Sequence, residues 1–131
     1  MGSETLGQTV GATFADKDVD TGIVVTVNTI TLSDGDNGGL ADNYTISTGQ
    51  ITTADITAKT LTATASASNK VYDGTTTAAA TLTFTGLVGS ETLGQTVGAT
   101  FADKDVDTGI VVTVNSITLS DGDNGGLATN Y

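Results

Sequence analysis

The sequence contains no cysteine, no histidine, no proline and no arginine among its 131 residues. Without cysteine there is no disulfide framework, and without histidine or cysteine there is no Ser-His-Asp or Cys-His nucleophile and no soft-metal site. Aromatic residues make up 5% of the chain and hydrophobic residues 37%, which indicates a lean core. These absences exclude the common nucleophilic and soft-metal enzymes.

Positive charge is also scarce. Four lysines stand against 15 acidic residues, and the formal net charge is −11. Such a surface repels nucleic acid and anionic membranes and attracts cations. No apolar run approaches the length of a membrane span. We therefore expect no nucleic-acid partner and no membrane insertion.

The chain is dominated by an internal repeat. Residues 2–44 recur as residues 89–131, an offset of 87, and only two positions differ: Thr29 corresponds to Ser116, and Asp42 corresponds to Thr129. Self-similarity at a fixed period of domain size is typical of a tandem array. The sequence predicts the C-terminal portion of one repeat at residues 2–56 and a second repeat, lacking its final strand, at residues 57–131.

Valine, isoleucine and threonine are abundant and favour strands. The strongest strand signal spans residues 22–32, where a bulge near Asn28 is predicted to bring Ile30 and Leu32 onto the face of the preceding valines. Further strands are predicted at residues 8–14, 44–47, 50–53, 56–66 and 80–84. No helical stripe is long enough to predict a helix. Short strands separated by turn signals predict an all-β, antiparallel β-sandwich.

A nine-residue segment between the two copies carries a specific resemblance. Its sequence is Ser68-Asn69-Lys70-Val71-Tyr72-Asp73-Gly74-Thr75-Thr76. A Leu-Thr-rich strand precedes it, a Phe-containing loop follows at residues 101–106, and an Asn-Tyr pair stands at residues 130–131. In that order, these motifs resemble the YDG domain, which is akin to the glycine-rich MBG modules of large bacterial surface proteins.

The resemblance covers residues 58–131, and the first copy supplies the matching tail at residues 14–44. It implies an Ig-like β-sandwich used in tandem, with neighbouring repeats of the same protein as partners. It also implies an extracellular location on the bacterial cell surface, in adhesins of the filamentous haemagglutinin-like type. No enzymatic activity is implied.

An acidic loop departs from the family pattern, which usually has glycine where this chain has Asp20 and Asp107. Three carboxylates alternate in each copy and resemble the start of a calcium loop, because a hard cation needs several oxygens within a short turn. They are Asp16, Asp18 and Asp20 in the first copy, and Asp103, Asp105 and Asp107 in the second. The match to an EF-hand is incomplete, since Val27 stands where a bidentate glutamate is needed.

A second candidate cation loop lies at residues 34–38 and again at residues 121–125. Calcium is therefore the cofactor that the sequence suggests, and simply solvated acidic loops are the alternative. Tyr72, Asp73 and Gly74 are interpreted as a structural turn in which Asp73 caps its own backbone. Tyr44 and Tyr131 are interpreted as packing residues at the end of the sandwich.

Two classes of function remain. A structural spacer would extend a distal binding region from the bacterial surface, stiffened by calcium if the acidic loops bind it. The alternative is a direct carbohydrate- or protein-binding adhesin module, for which few aromatic side chains are available. An enzyme is the least favoured class, because the paired carboxylates lie in glycine-rich loops without an apolar pocket to separate their pKa values.

The second copy has no version of residues 45–55 after it. An open sheet edge is therefore predicted there, covered either by residues 45–55 themselves or by a neighbouring molecule through strand exchange.

Overall fold

The computed structural model describes residues 2–131, which fold as two units. Unit 1 ends at Thr57 and unit 2 spans Ala58–Tyr131, next to the predicted boundary. Both are built from antiparallel strands, and the helical segments among the described residues are 3-10 turns at Ala41–Asn43 and Ala128–Asn130. The predicted all-β, antiparallel class is confirmed. No helix within residues 2–131 is long and apolar enough to cross a membrane.

Unit 1 is a single three-stranded sheet. Its strands are β1 (Leu6–Phe14), β2 (Asp20–Asp34) and β3 (Ile51–Ile56), in the order β1-β2-β3. β1 and β2 form a long antiparallel hairpin, and β3 pairs with the first half of β2. β1 is therefore an edge strand of this sheet.

A bulge interrupts the hairpin of β1 and β2. Gly11 opposes Thr29 but the next residue, Ala12, opposes Val27, so Asn28 is the additional residue on β2. The predicted bulge is confirmed. Because opposed residues of an antiparallel pair share a face, the bulge keeps the apolar residues on one side of the sheet. These residues are Val10, Ala12 and Phe14 on β1 and Val25, Val27, Ile30 and Leu32 on β2.

Unit 2 is a small two-sheet sandwich. One sheet pairs β4 (Thr62–Ala67) with β6 (Ala80–Thr85). The other has the order β5-β7-β8, formed by β5 (Thr77–Ala78), β7 (Leu93–Phe101) and β8 (Val112–Asp121). The chain passes from β5 in one sheet to β6 in the other at Ala79, and β6 then lies against β7.

The core is thin and contains few buried side chains. Ala78, Leu82 and Ala99 are buried in unit 2, and Ile23 is buried in unit 1. No large side chain among residues 2–131 is fully buried. The lean composition is thus reflected in a small number of buried aliphatic side chains.

Two of the predicted strands are wrong, one in its existence and the other in its extent. Residues 44–47 form no strand, since the chain leaves the 3-10 turn there and re-enters the sheet only at Ile51. The predicted strand at residues 56–66 is broken at residues 57–61, because Ile56 ends β3 of unit 1 and Thr62 begins β4 of unit 2. Alternation of apolar and polar residues continues across the boundary, so the pattern alone does not reveal the break.

The predicted open edge belongs to β8, which is the last strand of its sheet. Of residues 45–55, which were predicted as one cover for this edge, those that enter a strand belong to β3 and pair with β2 within unit 1.

Candidate functional site

The Tyr72-Asp73-Gly74 turn is held by the carboxylate of Asp73. Its Oδ1 accepts hydrogen bonds from the backbone N–H of Thr75 at 2.9 Å and from the Thr75 hydroxyl at 2.8 Å. Gly74 adopts a φ of 77°, a left-handed conformation that favours glycine. The sequence Asp-Gly-Thr therefore encodes a turn that closes on its own backbone.

Lys70 joins this turn to the sheet beneath it. Its Nζ lies 2.9 Å from Asp73 Oδ1 and donates to the Thr75 carbonyl oxygen at 2.7 Å. The same Nζ lies 5.5 Å from the centre of the Phe101 ring, within range of a cation–π interaction. The hydrogen bond from Lys70, with those from Thr75, lowers the pKa of the Asp73 carboxyl from 3.8 to about 2.

A cleft of about 470 Å³ lies in unit 2 between this turn and the acidic loop. The residues that line it include Lys70, Tyr72, Phe101 and residues 103–110. Tyr72 is 56% exposed and Val106 is 87% exposed, so both present apolar surface to solvent at its mouth. The cleft offers an aromatic ring, aliphatic surface and carboxylates to a ligand, while its two lysines, Lys70 and Lys104, already form ion pairs with Asp73 and Asp105.

The carboxylates of the acidic loop in unit 2 are used locally. Asp103 Oδ1 accepts from the backbone N–H of Asp105 at 3.0 Å, and Asp107 Oδ1 accepts from that of Thr108 at 2.7 Å. Asp105 forms an ion pair with Lys104 at 2.7 Å. Each acid thus bonds a different local group.

The copy of this loop in unit 1 follows the same pattern. Asp16 Oδ1 accepts from the backbone N–H groups of Lys17 and Asp18, and Asp20 Oδ1 accepts from that of Thr21. Asp18 pairs with Lys17 at 2.5 Å. No group of three or more acidic side chains within residues 2–131 is arranged to hold a metal ion, so the structure does not bring the predicted calcium ligands together.

The second candidate cation loop closes the end of each hairpin. Asp34 Oδ1 accepts from the Ala41 N–H at 2.7 Å, and its copy Asp121 accepts from the Ala128 N–H at 2.8 Å. A Cβ added to Gly35 would collide with the carbonyl oxygen of Thr5. Gly35 and Asp34 of this loop are therefore explained by backbone packing and by hydrogen bonding, respectively.

The two tyrosines at the ends of the copies lie in different surroundings. Tyr44 donates its hydroxyl hydrogen to Glu4 at 2.5 Å, and Tyr131 makes the equivalent bond to Glu91. Tyr131 also accepts from the backbone N–H of Val88 at 3.0 Å. The carboxylate acceptors raise the pKa of both phenols.

Sequence reasoning missed Gln95. Its side-chain carbonyl accepts from the Leu82 N–H at 2.7 Å, and its amide donates to the Leu82 carbonyl oxygen at 2.8 Å. Gln95 thus joins β7 to β6 across the sandwich. The available signal was a glutamine on the apolar face of a predicted strand, at a position that needs polar partners when covered.

Comparison with known proteins gives one match. The sequence model of the YDG domain matches residues 2–53 and again residues 57–131. No curated protein and no solved structure matches the chain.

Proposed function

Because this chain belongs to the YDG domain family, we propose that it is a non-enzymatic structural spacer repeat of a secreted bacterial cell-surface adhesin. In this role, successive repeats extend a distal binding region away from the cell. Its partners are neighbouring repeats of the same protein.

The observation that best supports a spacer is the repetition of one hairpin. The pairing of Leu6–Phe14 with β2 is reproduced position for position by that of Leu93–Phe101 with β8, including the bulge. A tandem array of such units depends on contacts within each unit and between neighbours, and it grows by addition of repeats. Antiparallel ladders then provide the resistance to extension.

Stretching tests this mechanical role. In single-molecule force spectroscopy of a polyprotein containing the chain, complete unfolding of unit 2 releases roughly 250 Å of chain. We expect discrete force peaks separated by an increment near this value, less the folded end-to-end distance. Smooth extension without discrete peaks would contradict a load-bearing spacer.

Calcium stiffening remains a prediction of the acidic sequence. A cation that binds only the folded state raises the melting temperature by mass action. A thermal melt with excess chelator and again with millimolar calcium tests it, using a control in which the six loop aspartates at 16, 18, 20, 103, 105 and 107 are changed to asparagine. A rise that disappears in this control supports the prediction, and equal melting temperatures overturn it.

Self-association through the β8 edge is part of the same proposal. In unit 1, Val24 opposes Thr53 of β3. The equivalent of Val24 is Val111, which is 66% exposed beside the edge strand β8. A strand with the sequence of β3, supplied by a neighbouring repeat, fits this edge. Light scattering that shows a strict monomer over a wide concentration range would count against it.

The cleft beside Tyr72 favours a second candidate function, direct recognition of a carbohydrate or protein. Its exposed aromatic ring and aliphatic rim are suited to weak contact with a sugar face or a peptide. A glycan array probed with the chain and with Tyr72→Ala distinguishes the two candidates. Reproducible hits that are lost in the variant would favour the binding module over the spacer.

A further inference from the structure

The two copies of one strand sequence have different surroundings. β1 and β7 have the same nine residues and the same register with their hairpin partners. Ala99 of β7 is 6% exposed, whereas its equivalent Ala12 is exposed. Val10 and Phe14 are also exposed, at 47% and 44%, while their equivalents in β7 are half-buried. The apolar face of β1 is therefore available.

What covers β7 is residues 58–88 of the same unit. β5 pairs with its edge, placing Ala78 opposite Ala99, and the Phe101 N–H donates to the Thr76 carbonyl oxygen at 2.7 Å. β6 lies against its face through the two hydrogen bonds between Gln95 and Leu82.

The same segment also contacts the end of the second copy. The Lys59 N–H donates to the Asn130 carbonyl oxygen at 2.9 Å, and the Val88 N–H donates to the Tyr131 hydroxyl at 3.0 Å. The groups of the second copy named above as contacting residues 58–88 have identical counterparts in unit 1. These are Gln8, Ala12, Phe14, Asn43 and Tyr44.

In unit 1, no strand pairs with the outer edge of β1 among the described residues, and the Gln8 side chain has no hydrogen-bond partner there. The two differences between the copies do not alter the receiving surface. Thr29 opposes Gly11 and lies on the side of the sheet away from Val10, and Asp42 is exposed in the 3-10 turn. Unit 1 thus has a second surface with the same side chains and register as the surface of β7 that residues 58–88 cover.

We propose that the bare face and outer edge of β1 form a docking site for residues 58–88 of a second copy of this chain. β5 of the incoming copy adds to the edge of β1, and its β6 covers the face that contains Val10 and Ala12. Gln8 then bonds the incoming Leu82 as Gln95 does within unit 2. This inference does not rest on the spacer role. It follows from the comparison of β7, which is covered, with β1, which has the same sequence and is exposed.

The energetics of this exchange are those of domain swapping. A segment that leaves β7 for the β1 of another chain exchanges one set of contacts for an equivalent set, so little contact energy is lost. The contacts within a chain have the advantage of effective concentration. Docking between chains is therefore expected to increase with protein concentration, and a free peptide with the sequence of residues 58–88 is expected to bind without displacing anything from unit 1.

The first experiment titrates that peptide into the full chain and follows binding by calorimetry. We expect saturable binding of one peptide per chain, reduced at least tenfold by Ala12→Glu, because a charge there would be buried against the incoming Ala78. Thr9→Glu is the matched control, since Thr9 lies on the opposite face of the same strand, and it should bind the peptide as the wild type does. Absence of binding, or equal loss in both variants, would overturn the proposal.

The second experiment asks whether a second copy is the donor. One chain carries Ala12→Cys and another carries Ala78→Cys, and the two are mixed at high concentration and oxidised mildly. A disulfide joining residue 12 of one chain to residue 78 of the other is expected, because these residues would be directly opposed. A single chain with Ala78→Cys and Ala99→Cys is the positive control and should cross-link internally. If the internal control forms its disulfide and the mixed chains do not, a second copy does not occupy the β1 site. That conclusion would hold even if the free peptide binds in the first experiment.

Discussion

The carboxamide of Gln95 pairs with both backbone groups of Leu82, accepting from its N–H at 2.7 Å and donating to its carbonyl oxygen at 2.8 Å. Leu82 is 8% exposed, so these backbone groups have little access to water. The same glutamine occurs as Gln8 in unit 1, where it is exposed and no residue among those described takes the place of Leu82. The hydrogen bonding of this glutamine therefore differs between the copy that β6 covers and the copy that it does not cover.

Replacement of Gln95 by alanine should destabilise unit 2. It leaves the Leu82 N–H and carbonyl oxygen without partners in a mostly buried position, which costs about 1–3 kcal/mol. Hydrogen exchange at the Leu82 amide measures this destabilisation, because the free energy of opening at that amide should be lower in Gln95→Ala than in the wild type. Gln8→Ala is the matched control and should leave exchange in unit 2 unchanged at low protein concentration. An unchanged Leu82 amide in Gln95→Ala would show that the paired contact does not hold the layers together.

The contribution of Asp73 to the stability of its turn should depend on pH over a narrow acidic range. Because its pKa falls from 3.8 to about 2 on folding, its contribution to stability is present above pH 4 and is lost as the pH falls toward 2. An NMR titration of the Asp73 carboxyl carbon should give a midpoint near 2 in the wild type. In Lys70→Met the midpoint should move back toward 3.8, because the largest cause of the shift is removed. An unchanged midpoint in this variant would show that Lys70 is not that cause.

The Tyr131 hydroxyl should make stability sensitive to alkali. Its pKa is raised above 10.0 chiefly by the hydrogen bond to Glu91. Its contribution is therefore present below pH 10 and is lost as the pH rises through the raised value. In thermal melts, Tyr131→Phe should reduce the decrease in the melting temperature of unit 2 that occurs as the pH rises above 10. Tyr44→Phe, which removes the equivalent bond to Glu4 in unit 1, is the comparison and should leave the melting of unit 2 unaffected.

Gly126 should tolerate no side chain. It is buried, and a Cβ there would collide with the carbonyl oxygen of Thr92. Gly126→Ala is expected to destabilise unit 2 by about 1–3 kcal/mol, since backbone must move to make room. Gly2→Ala is the control, because a Cβ at Gly2 meets nothing within 4 Å. Equal denaturant midpoints for the two variants would show that the close approach at Gly126 is not required.

Local sequence was enough to predict several strands, the bulge in one of them and the Asp73-Gly74 turn. The apolar and polar alternation of residues 22–32 predicted β2 and its bulge at Asn28, because both depend on which side chains share a face of one sheet. The Asp73-Gly74 pair predicted a turn, because its hydrogen bonds are made within a few residues. Such features need no distant partner.

Features that depend on distant partners were not predicted. Residues 57–61 continue an alternating pattern yet leave the sheet, because they join two units. The passage from β5 to β6 at Ala79 is set by the two sheets that these strands enter. The bond between Gln95 and Leu82 joins residues from different sheets, so no local pattern indicates it.

The sequence by itself determined the strand pairs, because the same nine residues of β1 and β7 adopt the same register with their hairpin partners in both copies. Only the tertiary structure decided which copy is covered. Ala99 is buried and Ala12 is exposed, although the strand around each is identical. The physical reason is that burial depends on a second layer, and residues 58–88 provide that layer to β7 within unit 2.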